Sequence, residues 1–135
     1  MIVADTNLIA YLMIEGDFTP QAELVYQLDS NWIAPYLWRS EFRNILALYL
    51  KKNYLSMAEA KTIMAQAEAL MKNKEFELDS ASLLEMIENS TLSAYDCEYV
   101  VLAKKLGIHL ITNDKKILKS FPDLAVSLES YGQKS

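Results

Sequence analysis

Residues 1–12 read MIVADTNLIAYL: an apolar run from Ile2 to Ala4 stops at Asp5-Thr6-Asn7, and Leu8, Ile9, Tyr11 and Leu12 then resume at helical spacing. The pattern predicts a short buried strand that passes directly into a helix, with Asp5 at the junction. A carboxylate at that point has two readings. It can cap the helix, accepting backbone N–H groups at the positive end of the helix dipole. It can also be a ligand group, because open α/β sheets bind at the carboxyl ends of their strands.

The remaining chain repeats the alternation. Thr19-Pro20 marks a helix start leading to Leu24, Val25 and Leu28, and Trp32 to Ala34 is a strand halted by Pro35. A helix is expected from about Leu37 to Lys51. A second helix begins at the capping box of Ser56 and Glu59 and runs towards Lys74. Phe76 to Leu78 reads as a short strand, followed by a helix through Leu83, Met86 and Ile87. SAYDCEYVVLAKKLG (residues 93–107) is a helix with Gly107 past its end. Ile108 to Thr112 is a strand, Asn113-Asp114 opens a short helix with Ile117 and Leu118, and Leu124 to Leu128 is a last strand. Short, continuously apolar strands separated by helices imply an α/β fold, a central parallel sheet of about four or five strands with helices on both faces.

With 135 residues, 52% of them hydrophobic, only three glycines and three prolines and no repeat, the chain is expected to form one folded domain over residues 1–135. Every apolar run stops short of the roughly 20 residues of a membrane span, and no leader precedes the first strand, so a soluble, cytoplasmic location is expected. A lone Cys97 excludes an internal disulfide and a thiolate zinc framework. The net charge of −5 argues against nonspecific attraction to nucleic acid.

Four acids stand where a charge is costly. Asp5 and Asp114 follow two different strands, so both arrive at the same sheet edge. Glu41 falls over Leu37, Trp38, Ile45 and Leu48, in the stripe that should face the core, where an ionised carboxylate needs a cation or dense hydrogen bonding. Asp96 lies three residues after Ser93 and above Val100 and Ala103, at the inner rim of a packed helix. Each has a bland alternative: caps for Asp5, Asp96 and Asp114, and a helix-edge side chain reaching solvent for Glu41. Together they suggest one acidic cluster, which makes physical sense around a hard divalent cation, Mg²⁺ or Mn²⁺ in preference to zinc.

Asp5-Thr6-Asn7, Glu41, SAYDCEYVVLA and ITND, in this order and spacing over nearly the whole length, resemble the PIN-domain nucleases, and within them the small VapC-like toxins of type II toxin-antitoxin pairs. The resemblance implies that Asp5, Glu41, Asp96 and Asp114 are catalytic and hold one or two Mg²⁺ or Mn²⁺ ions, with Thr6, Asn7 and Thr112 orienting them. It implies endoribonuclease activity, by hydrolysis of RNA phosphodiesters to a 5′-phosphate and a 3′-hydroxyl. It also implies a cognate antitoxin and a homodimer as partners. Setting the four acids aside leaves fourteen acids against thirteen bases, which weakens the charge objection to an RNA substrate. Lys115, Lys116, Arg39 and Arg43 are then candidate phosphate contacts, against the simpler reading of solvated charges.

Other prominent residues read as packing. His109 sits in a strand pattern away from the acids, and helical geometry turns Cys97 about 100° from Asp96. Met57, Met64 and Met71 recur on one helix side as core, with a partner surface as the alternative; Trp32, Trp38 and the tyrosines are core or interface before base-stacking platforms. A housekeeping RNA-processing nuclease and a noncatalytic RNA-binding scaffold remain the competing functions.

Overall fold

The computed structural model describes residues 1–133, so the last two residues of the expected 1–135 unit lie outside the described residues. The elements are β1 (Ile2–Ala4), α1 (Thr6–Met13), α2 (Thr19–Leu28), β2 (Trp32–Pro35), α3 (Trp38–Lys51), α4 (Met57–Leu70), β3 (Glu75–Phe76), α5 (Ser80–Glu88), α6 (Ala94–Leu106), β4 (Leu110–Ile111), α7 (Lys115–Ser120), β5 (Ala125–Val126) and α8 (Leu128–Gly132). The α/β fold is as the alternation predicts. Five parallel strands form one sheet in the order β3-β2-β1-β4-β5. Among the described residues, no helix is long and apolar enough to cross a membrane.

That order puts the start of the chain at the centre. Val3 pairs with Ile33 on one side and Leu110 on the other, and Ile2, Val3 and Ala4 are all buried. The order of strand addition reverses between β1 and β4: from β1 the chain moves outward to β2 and β3, then crosses back to place β4 on the other side of β1 and β5 beyond it. Right-handed crossovers therefore put α1 to α4 on one face and α5 to α7 on the other. The packing agrees, since α1 touches α2, α3 and α4, while α6 lies against α5, β1, β2 and β4. The crevice between β1 and β4 is the switch point where open α/β sheets hold ligands.

Several boundaries shift for local reasons. Ile108 donates its backbone N–H to Ala103 O and Gly107 takes φ +64°, so the end of α6 consumes the start of the apolar run and β4 begins only at Leu110. α4 stops at Leu70, and the turn after it has Asn73 in the left-handed region at φ 64°. The run Leu124–Leu128 is strand only to Val126, because Ser127 accepts the Ser130 N–H and starts α8. Thr19 is the first residue of α2 and not its cap: its hydroxyl donates to Tyr11 O at 2.6 Å, tying α2 to α1.

The placement of α3 decides where Glu41 points. Its core stripe is Trp38, Phe42 and Leu46, four residues apart. Arg39 locks the start of this helix. Its guanidinium donates to both oxygens of Glu75 on β3, Nε to Oε2 at 2.5 Å and Nη2 to Oε1 at 2.8 Å, and its Nη1 reaches Glu68 on α4 at 2.6 Å. Trp38 Nε1 also donates to Glu75 Oε2. Hydrogen bonding to Arg39 holds the Glu75 carboxyl below its usual range, and the same bonds raise Arg39.

Gly107 gives a direct test of the α6 terminus. An added Cβ there would meet nothing within 4 Å, so Gly107→Ala should cost only the left-handed backbone penalty, about 1 kcal/mol. Urea denaturation should show that loss with an unchanged slope, and Gly107→Asn should lose less.

Candidate acidic site

At the carboxyl edge of the sheet a cavity of about 580 Å³ opens over the switch point. Asp5, Glu41, Asp96 and Asp114 all line it, together with Thr6, Asn7, Ser40, Asn44, Tyr95 and Tyr99. The four acids come from the end of β1, from α3, from α6 and from the start of α7. Among the described residues, no lysine, arginine or histidine lines the cavity.

Each acid is aimed by a local device. The backbone N–H of Asp5 continues the sheet ladder to Ile111 O, which fixes its position. Its Oδ1 accepts the Asn7 N–H as the cap of α1, and its Oδ2 accepts the Thr112 hydroxyl at 2.5 Å. Thr112 Oγ1 in turn accepts the Asp114 N–H, and Asp114 Oδ1 caps α7 through the Ile117 N–H. Ser93 caps α6 by accepting the Asp96 N–H. The cap readings of Asp5 and Asp114 therefore hold alongside their place in the cavity, and at Asp96 the Ser93 half of the expected capping box is formed.

Glu41 departs from its expected setting. It is not within the core stripe: Leu48 is exposed, and Glu41 turns with Ile45 into the cavity beside the buried Trp38, Phe42 and Leu46. There its Oε1 accepts the Thr6 hydroxyl at 2.9 Å and the Tyr99 hydroxyl at 2.5 Å. Thr6 and Thr112 are buried polar residues, and both bond to these acids. Asn7 contributes its backbone N–H while its side chain is exposed.

The acids feel one another. Burial pushes the Asp5 carboxyl from 3.8 up to about 6; the Thr112 and Asn7 hydrogen bonds oppose the rise, and the charges of Glu41 and Asp114 add to it. Burial also raises Asp96, with Asp114 and Glu41 adding to the rise and Ser93 and Lys116 opposing it. Tyr99 is raised first by burial and then by the Glu41 charge.

Whether a cation fits is decided by the donors. All are carboxylate oxygens whose charge no lining cation neutralises, which suits Mg²⁺ or Mn²⁺. Among the described residues, no three acidic, histidine or cysteine side chains stand close enough to share one ion directly. Mg²⁺ retains several of its waters and takes only one or two carboxylates, so a spread set of acids around a wet cavity remains compatible with it.

The basic candidates fare differently. Arg39 is committed to Glu75 and Glu68 and lines a separate pocket, so it is no phosphate contact of this cavity. Lys116 is near enough to lower Asp96, while Lys115 and Arg43 are exposed and outside the lining. Cys97 is fully buried, and His109 is exposed, with Nδ1 on Leu124 O. Tyr99 is hidden in the sequence among the apolar residues of its helix; its spacing of three from Asp96 is the one available signal. Asn113 also has a role: its Oδ1 accepts the Leu128 N–H and anchors α8.

The PIN domain family matches the chain over residues 2–124. No curated protein sequence matches it.

Because its folded pKa lies above its unfolded value, Asp5 contributes stability that is complete below about pH 4 and lost as pH rises through about 6. The full loss is on the order of 3 kcal/mol, less about 1 kcal/mol for the hydrogen bond an amide at this position cannot keep. In chelator, Asp5→Asn should therefore melt higher than the parent at pH 7.5 and lower at pH 4. Calorimetry across that range reads the crossover, and parallel curves would remove the burial argument.

Proposed function

The chain belongs to the PIN domain family, and from that membership we propose that it is a metal-dependent endoribonuclease, the VapC-like toxin of a toxin-antitoxin pair. PIN domains are generally nucleases and usually use divalent metal ions. One observation carries the proposal to this chain: four carboxylates from four separate elements line a single cavity at the sheet's switch point, with no basic side chain of the described residues among them.

In this reading Asp5, Glu41, Asp96 and Asp114 hold one or two Mg²⁺ or Mn²⁺ ions. A bound divalent cation supplies positive charge to the phosphodiester and acidifies water at the reaction centre. The chain's own groups do the rest. Thr112 fixes Asp5 through Oδ2, Thr6 fixes Glu41 through Oε1, and the α6 cap at Ser93 sets the turn that carries Asp96. No protein nucleophile is needed: Cys97 is buried, and the Thr6 hydroxyl is spent on Glu41. The cavity can take the charged backbone of RNA only once its acids are neutralised, so metal is also the condition for substrate binding.

A homodimer and a cognate antitoxin are part of the same proposal. Leu48, Tyr54 and Met57 are exposed around the turn between α3 and α4, with Met57 57% accessible, whereas Met71 of the same methionine series is buried. Apolar side chains grouped in this way support a partner surface there. The expected location is cytoplasmic.

RNA cleavage should require Mg²⁺ or Mn²⁺, stop in chelator and yield 5′-phosphate ends. Asp96→Asn keeps the side chain's shape and removes its charge. It should cut the rate by roughly a hundredfold or more, since loss of a residue that merely supports a metal ligand already costs about 10- to 100-fold. Wild-type cleavage by this variant in chelator would overturn the metal mechanism, and RNA binding without cleavage would favour the scaffold reading. Sedimentation at micromolar concentration should show a dimer; a monomer would remove that claim alone.

A further inference from the structure

Tyr99 is 3% exposed, on a helix face it shares with the buried Val100 and Ala103. Phenylalanine would pack there equally well, without a hydroxyl to desolvate. The hydroxyl nevertheless reaches across the cavity and donates to Glu41 Oε1 at 2.5 Å, on the oxygen that Thr6 Oγ1 also reaches at 2.9 Å. Tyr99 and Thr6 also touch each other. One carboxylate oxygen is therefore gripped from α1 and from α6, while Glu41 itself rides on α3. Glu41 Oε2 receives no hydrogen bond from any described residue.

This grip has something to oppose. Glu41 has three side-chain torsions, and its charge is felt by Asp5, Asp96 and Glu98. An unrestrained glutamate in such company rotates towards solvent, gaining both rotamer freedom and distance from like charges. A single donor fixes an oxygen but leaves the carboxylate plane free to turn. Two donors arriving from different elements fix both.

We propose that Tyr99 is a positioning residue that pins Glu41 through Oε1 and so presents Oε2 to the cavity. Its consequence for catalysis rests on the nuclease reading; its consequence for Glu41 does not. Tyr99→Phe keeps the ring and removes only the hydroxyl. It should weaken Mn²⁺ binding about tenfold, read as free Mn²⁺ by electron paramagnetic resonance, and lower kcat on RNA by a similar factor with KM unchanged. In a Glu41→Ala background the same substitution should change Mn²⁺ affinity no further. Wild-type Mn²⁺ affinity in Tyr99→Phe, or an equal loss with and without Glu41, would overturn the proposal. A measurement on the unaltered chain guards against misfolding of the variant and against failure of the metal reading. Proton NMR should show a slowly exchanging, downfield Tyr99 hydroxyl that disappears in Glu41→Ala. Its absence from the parent, or its survival without Glu41, would equally overturn the assignment. Mn²⁺ binding without RNA cleavage would refute the nuclease reading and leave the positioning role supported.

Discussion

Like charges do not gather at a sheet edge without something to hold them, and that constraint organises this end of the molecule. Four carboxylates line one cavity to which no described residue contributes a basic side chain, and hydrogen bonds from neutral donors resist most of their mutual repulsion. Those donors are the buried hydroxyls of Thr6, Tyr99 and Thr112 and the backbone N–H groups of Asn7 and Ile117. Every one of them reaches out of the strand ends or of the first turns of a helix, or rises from a packed helix face. A rigid surround is what makes short contacts between such groups sustainable. Hydroxyls on loops would let the acids swing apart.

The surround is rigid because of the strand order. Placing β1 between β2 and β4 buries it on both edges and both faces, and this same placement brings Asp5 beside Thr112 at the end of the neighbouring strand. Glu41 depends on a different anchor. Arg39, two residues earlier, binds both oxygens of Glu75 on the edge strand and reaches Glu68 on the next helix, which fixes where α3 begins and how it is rotated about its axis. A shift of one residue in that rotation would carry Glu41 about 100° away from Thr6 and Tyr99. Arg39 is thus a structural residue of the site, although it is not in it.

How much of this is legible in the sequence depends on the range of the forces involved. β1, its junction at Asp5, the α4 capping box and the glycine terminus of α6 are local devices, and neighbouring residues state them completely. The convergence of the acids is legible as a pattern because parallel strands deliver their carboxyl ends to one edge. What fails is orientation. The face of α3 is set by its contact with β3, which lies more than thirty residues on, so hydrophobic spacing alone places Glu41 in the core stripe beside Leu48, a residue that turns out to be exposed. Tyr99 is hidden because a buried tyrosine among valines reads as packing, and only its partner on another helix shows the hydroxyl in use. α8 escapes notice because Ser127 caps it inside a run that otherwise reads as strand.

Capping and ligation look like rival explanations for a carboxylate at the end of β1, and magnitudes separate them. A side-chain cap contributes about 1 kcal/mol, and serine or asparagine supplies it as well as aspartate does. Burial and the neighbouring acids hold the Asp5 carboxyl at about 6 even with the Thr112 and Asn7 hydrogen bonds in place, a net penalty of roughly 3 kcal/mol for keeping it ionised near neutral pH. The cap is real, but a neutral side chain would supply it without that penalty, so capping by itself does not call for a carboxylate there. At Asp114, where the side chain is partly exposed, the cap alone would be a sufficient reason. The asymmetry matters because Asp5 is also the acid with both oxygens engaged, one by the helix it starts and one by the strand beside it. Capping is the means by which the fold aims this carboxylate, and the excess cost of its charge is what a cation would offset.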